Sequence, residues 1–230
     1  MRKIYLCATL LLSFGLCGLS LTSCGGNNKE KSSTDLNGHD AVDLGLSVKW
    51  ATCNVGASSP EEYGGYYAWG ETEEKSYYDW STYKYCKRSD SDYSMTKYCT
   101  KSYSGTVDNK TVLEPEDDVA HVKWGGSWRM PTKSEFDELI NNCFWRWTTQ
   151  NGVEGYVVTS KSNGNSIFLP AAGSRWGETV SGSGSYGYYW SASLSEDGGS
   201  SAYGLYFDSD GRYLYCYDRY GGFSVRPVTE

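Results

Sequence analysis

Between Trp124 and Thr132 the chain reads Trp-Gly-Gly-Ser-Trp-Arg-Met-Pro-Thr, two large indoles flanking a glycine pair with a helix start immediately behind. Such a segment has to turn sharply while burying both rings, so it is expected to be the hub of the core. Thr132 is placed as an N-cap, and Glu135 three residues on closes a capping box. Phe136, Leu139, Ile140 and Cys143 follow at i, i+3, i+4 and i+7, which predicts an amphipathic helix over 133–142 with its apolar stripe inward. Upstream, Pro115 suits the first turn of a second short helix, with Glu116, Asp117 and Asp118 at its positive end and Val119, Ala120 and Val122 behind them. The acidic run is read as helix-start electrostatics in preference to a metal site.

The N-terminus bounds where the chain works. Arg2 and Lys3 precede an apolar run from Ile4 through Leu21, then Leu21-Thr22-Ser23-Cys24. This is the pattern of a secretory signal (residues 1–23) ending in a lipobox, in which Cys24 is lipidated and becomes the mature N-terminus. A transmembrane anchor is the alternative, but Gly15, Cys17, Gly18 and Ser20 interrupt the run and no positive flank follows it directly. Processing would leave 19 Lys and Arg against 28 Asp and Glu, a net charge of -9. With no basic patch, a nucleic-acid partner is excluded. Residues 24–40 are polar and read as a lipidated cysteine followed by a flexible spacer; residues 41–230 are expected to form one domain. The expected location is the outer membrane, lipid-anchored and facing the cell surface.

Of the cysteines beyond Cys24, Cys53, Cys86, Cys99, Cys143 and Cys216 make an odd number. An exported compartment permits disulfides, so Cys86 with Cys99 is a candidate local bridge, and at least one thiol stays free or pairs elsewhere.

In chain order, residues 42–55 alternate as one or two strands through Val48, Trp50 and Cys53, and 57–103 is expected to be a long loop region pinned by Tyr and Trp. Strands are predicted over 144–148, over 155–162 and 165–169 around the Asn163-Gly164 turn, over 188–193, and over 203–207 and 212–217 around Asp210-Gly211. A Gly/Ser-rich loop over 173–187 carries Arg175, Trp176 and Tyr186, and 223–228 closes the sheet. Two short helices among many strands give an α+β fold class.

Seven segments carry a specific resemblance: Asp43-Leu44-Gly45-Leu46, Trp50 to Ala57, Tyr67-Ala68-Trp69-Gly70-Glu71, Trp124 to Thr132, Phe168 to Gly173, Tyr189-Trp190-Ser191 and Ser224 to Val228. Over roughly 43–228 the chain resembles the Fibrobacter succinogenes major paralogous (FISUMP) domain, a family abundant in lipoproteins of gut Bacteroidales. That family is similar to the C-type-lectin-like superfamily. The resemblance implies that N- and C-terminal strands pair and that a loop-rich lobe displays a ligand surface, so residues 48–53 should lie beside 223–228. It implies a scaffold more than an activity.

The chemistry of known relatives does not carry over. Calcium-dependent sugar-binding lectins need a Glu-Pro-Asn or Gln-Pro-Asp loop with a later Trp-Asn-Asp; Glu114-Pro115-Glu116 lies ahead of the central helix and Trp-Asn-Asp does not occur. Formylglycine-generating enzymes look similar around 124–135 and 215–223, but their copper-thiolate chemistry needs two neighbouring cysteines and only Cys216 stands there. His39 and His121 offer at most one credible base for a triad. No enzyme activity, cofactor or metal is therefore expected. The remaining alternatives are an oxidase of that type and a purely structural envelope protein.

The feature that favours binding is the C-terminal stretch, where tyrosines alternate with Asp, Arg, Gly and Ser, the vocabulary of a paratope. The expected ligand-binding residues are Tyr203, Asp208, Asp210, Arg212, Tyr213, Tyr215, Tyr217, Asp218, Arg219 and Tyr220, joined by Arg175, Trp176 and Tyr186. Tyr213, Tyr215 and Tyr217 share one strand face and should form an aromatic stripe for an unidentified glycan or protein ligand. From Asp197 to Thr229 there is no Lys, Glu, Gln, Met or Trp. Retroelement-diversified lipoproteins resemble this, although a Gly/Tyr/Ser-rich stretch produces the same pattern by chance.

Overall fold

The computed structural model describes residues 37–88 and 93–230. The expected signal, Cys24 and most of the spacer lie outside the described residues. Among the described residues, Asn37 and His39 already pack against the domain: the Asn37 side-chain amide donates to the carbonyl of Trp124, and His39 stacks on the Trp124 ring at 3.7 Å. No helix among the described residues is long and apolar enough to cross a membrane.

The architecture is mixed α+β and mostly antiparallel. β1 (Ala41–Val42) pairs with β2 (Lys49–Ala51), and hairpin β3 (Cys86–Arg88) with β4 (Tyr93–Met95) breaks the long aromatic region expected to be loop. A 3-10 turn (Pro115–Asp117) and α1 (Val119–Trp124) replace the single helix expected from Pro115. The break is at Asp118: its extended backbone makes it the N-cap of α1, and its carboxylate accepts from the amides of Ala120 and His121. α2 (Lys133–Asn142) has the expected bounds, with the Thr132–Glu135 capping box formed and Arg129 gripping Glu135 at 2.6 Å. Phe136 and Leu139 are buried, whereas Cys143 is buried as the first residue of β5 (Cys143–Gln150).

Hairpins follow. β5 pairs with β6 (Val153–Ser160) and β6 with β7 (Ser166–Pro170). Inside the expected Gly/Ser loop, β8 (Ser174–Trp176) and β9 (Thr179–Ser181) form a small hairpin. β10 (Gly187–Leu194), β11 (Ser201–Phe207) and β12 (Arg212–Asp218) form a three-stranded sheet in that order. Residues 223–227 run irregularly along β10 before β13 (Val228–Thr229) pairs with β2, bringing the two ends of the domain together.

The β10–β12 sheet separates two cores because its side chains alternate between faces. Tyr189, Leu205 and Phe207 point to one core with Trp50, Phe136, Leu139, Tyr156 and Leu169; each buried side chain of this kind contributes roughly 2–3 kcal/mol. Trp190 and Ala202 point to the other, with Trp69, Tyr98, Trp128 and Phe223. Four of the segments that carry the family resemblance stitch these layers. Arg226, fully buried, donates to Asn54 Oδ1 and to the carbonyls of Ala51 and Thr52, while the Trp190 indole N–H donates to the Tyr67 carbonyl. A buried guanidinium needs such acceptors.

Candidate ligand-recognition surface

The surface is built on the β11–β12 hairpin, whose register is fixed at its turn. Asp208 Oδ1 accepts from the amides of Asp210 (2.9 Å) and Gly211 (3.0 Å), and Oδ2 accepts from the Tyr206 hydroxyl at 2.6 Å. The Tyr206 bond, aided by the two amides, holds the Asp208 carboxyl below its ordinary range; burial and that carboxylate push the Tyr206 phenol up. The resulting register sets Tyr213 opposite Tyr206, Tyr215 opposite Gly204 and Tyr217 opposite Ala202. Small partners leave room for the β12 rings to lean across the sheet. Tyr213 and Tyr215 stack at 5.6 Å, Tyr215 lies 6.2 Å from Tyr206, and Tyr206 stacks with Tyr186 at 6.0 Å. Tyr213 (48%) and Tyr215 (49%) keep about half of their surface in solvent.

The expected site residues do not all join this ladder. Tyr217 packs edge-on against Phe223 and is half-buried, so it anchors the stripe. Tyr203 and Arg212 lie on the opposite face of the hairpin, because they stand at odd register from Gly204 and Tyr213: Lys133 of α2 covers Tyr203 at 5.1 Å and Arg212 lies over Trp145 at 5.6 Å. Arg219 is not a surface residue. It is fully buried, donating to the Tyr83 hydroxyl and the carbonyls of Tyr98, Gly199 and Lys97. Arg175 lies over Tyr78, and Trp176 and Tyr220 pack on each other at 5.3 Å, a separate cluster that Trp80 extends to Tyr93.

Two open clefts lie at the two ends of the β11–β12 hairpin. One, about 490 Å³, lies beyond the hairpin turn between Asp208, Asp210, Glu154, Tyr186 and Trp147. The other, about 360 Å³, lies at the far end of the strand between Asp218, Trp80, Tyr93 and Tyr103. Burial pushes the Asp218 carboxyl above its ordinary range. Neither cleft has a Lys or Arg in its wall. Tyr206, Trp147, Glu154, Trp80, Tyr93 and Tyr103 fall outside the expected set. For Tyr206 the signal was present, since pairing outward from the Asp210-Gly211 turn sets it opposite Tyr213; for the others it lies only in tertiary placement.

Other reactive groups have structural employment. Cys53, Cys86, Cys99, Cys143 and Cys216 are all free thiols, so the expected Cys86–Cys99 bridge is absent: Cys86 stands opposite Met95 in the β3–β4 hairpin, and the Cys99 thiol donates to the Lys101 carbonyl at 3.1 Å. In the acidic run, Glu114, Glu116 and Asp117 converge within metal-ligand distance of one another, but Lys97 Nζ stands among them, 2.5 Å from Glu114 and 2.6 Å from Asp117. His121 turns Nδ1 toward the Trp128 carbonyl at 3.3 Å.

Residues 119–228 match a family model described as a domain of unknown function (DUF8237). The match runs from α1 to β13. It contains the whole tyrosine ladder and the turn cleft, and leaves Trp80, Tyr93 and Tyr103 of the second cleft outside. No curated protein and no solved structure matches the chain.

Proposed function

We propose that this chain is a lipid-anchored protein of the outer membrane whose domain recognises a ligand without transforming it. The observation that carries the reading is the Tyr213–Tyr215 stack, two rings half in solvent on a strand at the rim of a sheet. Rigid tyrosine rings give large contact area at small entropic cost, and the surrounding Asp, Ser and Gly supply adaptable hydrogen bonds. A purely structural role would instead favour a C-terminal face covered by the protein's own loops.

The pairing of β2 with β13 supports a FISUMP-type, C-type-lectin-like scaffold, as do the contacts that join four of the resembling segments, Asn54 with Arg226 and Tyr67 with Trp190. The lipobox at Cys24 and the acidic composition support the anchor and the surface location. The oxidase reading is less well supported. Burial first, then the charge of Asp197, pushes the Cys216 thiol above its ordinary range, and Cys216 is an exposed free thiol of β12, in no disulfide with another described cysteine, whereas Cu(I) chemistry of that type calls for a thiolate pair.

Two experiments test the proposal. Palmitate label should enter the wild type and vanish in Cys24→Ala; unchanged labelling rejects the anchor. Arrays of glycans and envelope proteins, probed with the full chain and with a Tyr213→Ala, Tyr215→Ala variant of unchanged fold, should show binding that the variant loses. A variant that keeps every interaction rejects the ladder as the site.

A further inference from the structure

The two clefts lie at opposite ends of the β11–β12 hairpin, and its outer strand, β12, has an open edge. The bonds from the Asp208 amide to the Gly211 carbonyl and from the Arg219 amide to the Ser200 carbonyl bracket the β11–β12 ladder. Antiparallel alternation then turns the backbone of Tyr213, Tyr215 and Tyr217 toward β11, and that of Arg212, Leu214 and Cys216 outward, with the Asp218 amide. The Asp218 carbonyl is taken by the Gly221 amide. Among the described residues no backbone outside the sheet bonds to the outward groups. The outer edge of β10 is the opposite case: Ser224, Pro131 and Thr111 all pair with it. Edge strands are commonly blunted by Lys, Pro or a bulge, and β12 has none of these in its seven residues. β5, also at a sheet rim, carries the exposed Arg146 midway along it.

We infer that the ligand of this surface is an extended, basic polypeptide segment that adds to the open edge of β12 as a further strand and sets cationic side chains in the two clefts. The inference rests on the recognition reading above and names its ligand class. Seven residues at about 3.3 Å each make an edge of roughly 20 Å, long enough to pair with a short segment and bring both of its ends to a cleft. At one end Asp208, Asp210 and Glu154 stand beside Trp147 and Tyr186; at the other Asp218 stands beside Trp80 and Tyr93. Carboxylates next to aromatic faces, with no basic group in either wall, suit an ammonium or guanidinium and repel an anion. The one basic residue at the turn end of β12, Arg212, is held over Trp145 on the other face. A cation in the second cleft would also relieve the burial that raises the Asp218 carboxyl. A second copy of the chain fits poorly, since two-fold antiparallel pairing of β12 would lay the Asp210 end of one strand against the Asp218 end of the other.

The test uses the full chain and blocked seven-residue peptides whose end residues are Lys, Glu or Ser and whose central positions vary. Lys-ended peptides should bind, and binding should slow amide exchange of Leu214 and Cys216 by at least about tenfold. Cys216→Pro, which removes one outward N–H and leaves the ladder to β11 intact, should weaken binding by more than about tenfold, while Cys216→Ser stays within about twofold. Asp210→Asn with Asp218→Asn should weaken it about tenfold and flatten its salt dependence. The amide-exchange result is read on the wild type, so it decides even if Cys216→Pro does not fold. Binding that leaves the Leu214 and Cys216 amides unprotected overturns the inference, as does equal binding of Glu-ended peptides or binding by no peptide. Loss of glycan or envelope-protein signals in Tyr213→Ala, Tyr215→Ala without any peptide binding would sink this inference and leave the recognition reading standing; signals unchanged in that variant would sink the reading itself.

Discussion

The guanidinium carbon of Arg219 lies 4.8 Å from the centre of the Trp69 indole, inside the core and one residue beyond the end of β12. Tyr83 and Tyr98 complete the aromatic surround, and four oxygens accept the Arg219 N–H groups; no carboxylate is among these acceptors. Such a cation is tolerated because these oxygens and ring faces replace the water it loses. Arg219→Ala should therefore cost about 3–5 kcal/mol by leaving those oxygens unpaired around a cavity. Urea denaturation checks this. Unchanged stability with lost ligand binding would return Arg219 to the recognition surface.

A second prediction concerns acid. Despite its burial, hydrogen bonds from Lys97, Tyr85, Tyr98 and Lys84 hold the Asp117 carboxyl well below its ordinary range. A carboxyl with a depressed folded-state pKa contributes stability that is complete above the unfolded value, about 4, and is lost as pH falls toward the folded one. Stability should thus fall below about pH 5, and Asp117→Asn should cost about 2–4 kcal/mol at neutral pH while flattening that limb. Asp118, whose carboxyl burial pushes up, acts in the opposite sense, so the difference between wild type and variant isolates Asp117. Parallel acid limbs in denaturation curves taken across pH would contradict the assignment.

Two glycines separate backbone cost from steric cost. The turn joining β5 to β6 has positive φ at both Asn151 (48°) and Gly152 (85°), and a Cβ on Gly152 would meet nothing within 4 Å. Gly152→Ala should cost only the left-handed backbone penalty, about 1–2 kcal/mol. At Gly187 a Cβ would lie 2.0 Å from Phe207 Cζ, so Gly187→Ala must displace a buried ring and should cost more, about 2–4 kcal/mol. Equal losses in thermal denaturation would refute the distinction.

What the sequence disclosed follows how local each cause is. The bounds of α2 were legible because Thr132 and Glu135 cap it within one turn, and the β6–β7 and β11–β12 hairpins because Asn163-Gly164 and Asp210-Gly211 fix their own turns. Asn151-Gly152 carries the same signal, and the strand expected over 144–148 stops short of it. β8 and β9 were hidden in Gly/Ser composition; they are held by distant partners, Arg175 by Gly222 and Gly177 by Tyr78. The tyrosine ladder was legible from period-two alternation. Arg219 was not, because its burial depends on Tyr83, 136 positions away. Tyr203 and Arg212 were assigned to the surface by composition, although strand parity sets them on the other face from Tyr213.

That parity supplies the most direct test of the central claim. With the strongest ligand from the arrays, the dissociation constant of the full chain is compared with those of Tyr213→Ala, Tyr215→Ala and of Tyr203→Ala, which lies on the same hairpin under Lys133 of α2. The account predicts that the double variant, still folded, loses about a hundredfold in affinity, roughly 3 kcal/mol, while Tyr203→Ala stays within about twofold. Equal losses from both faces, or a loss confined to Tyr203→Ala, would contradict it.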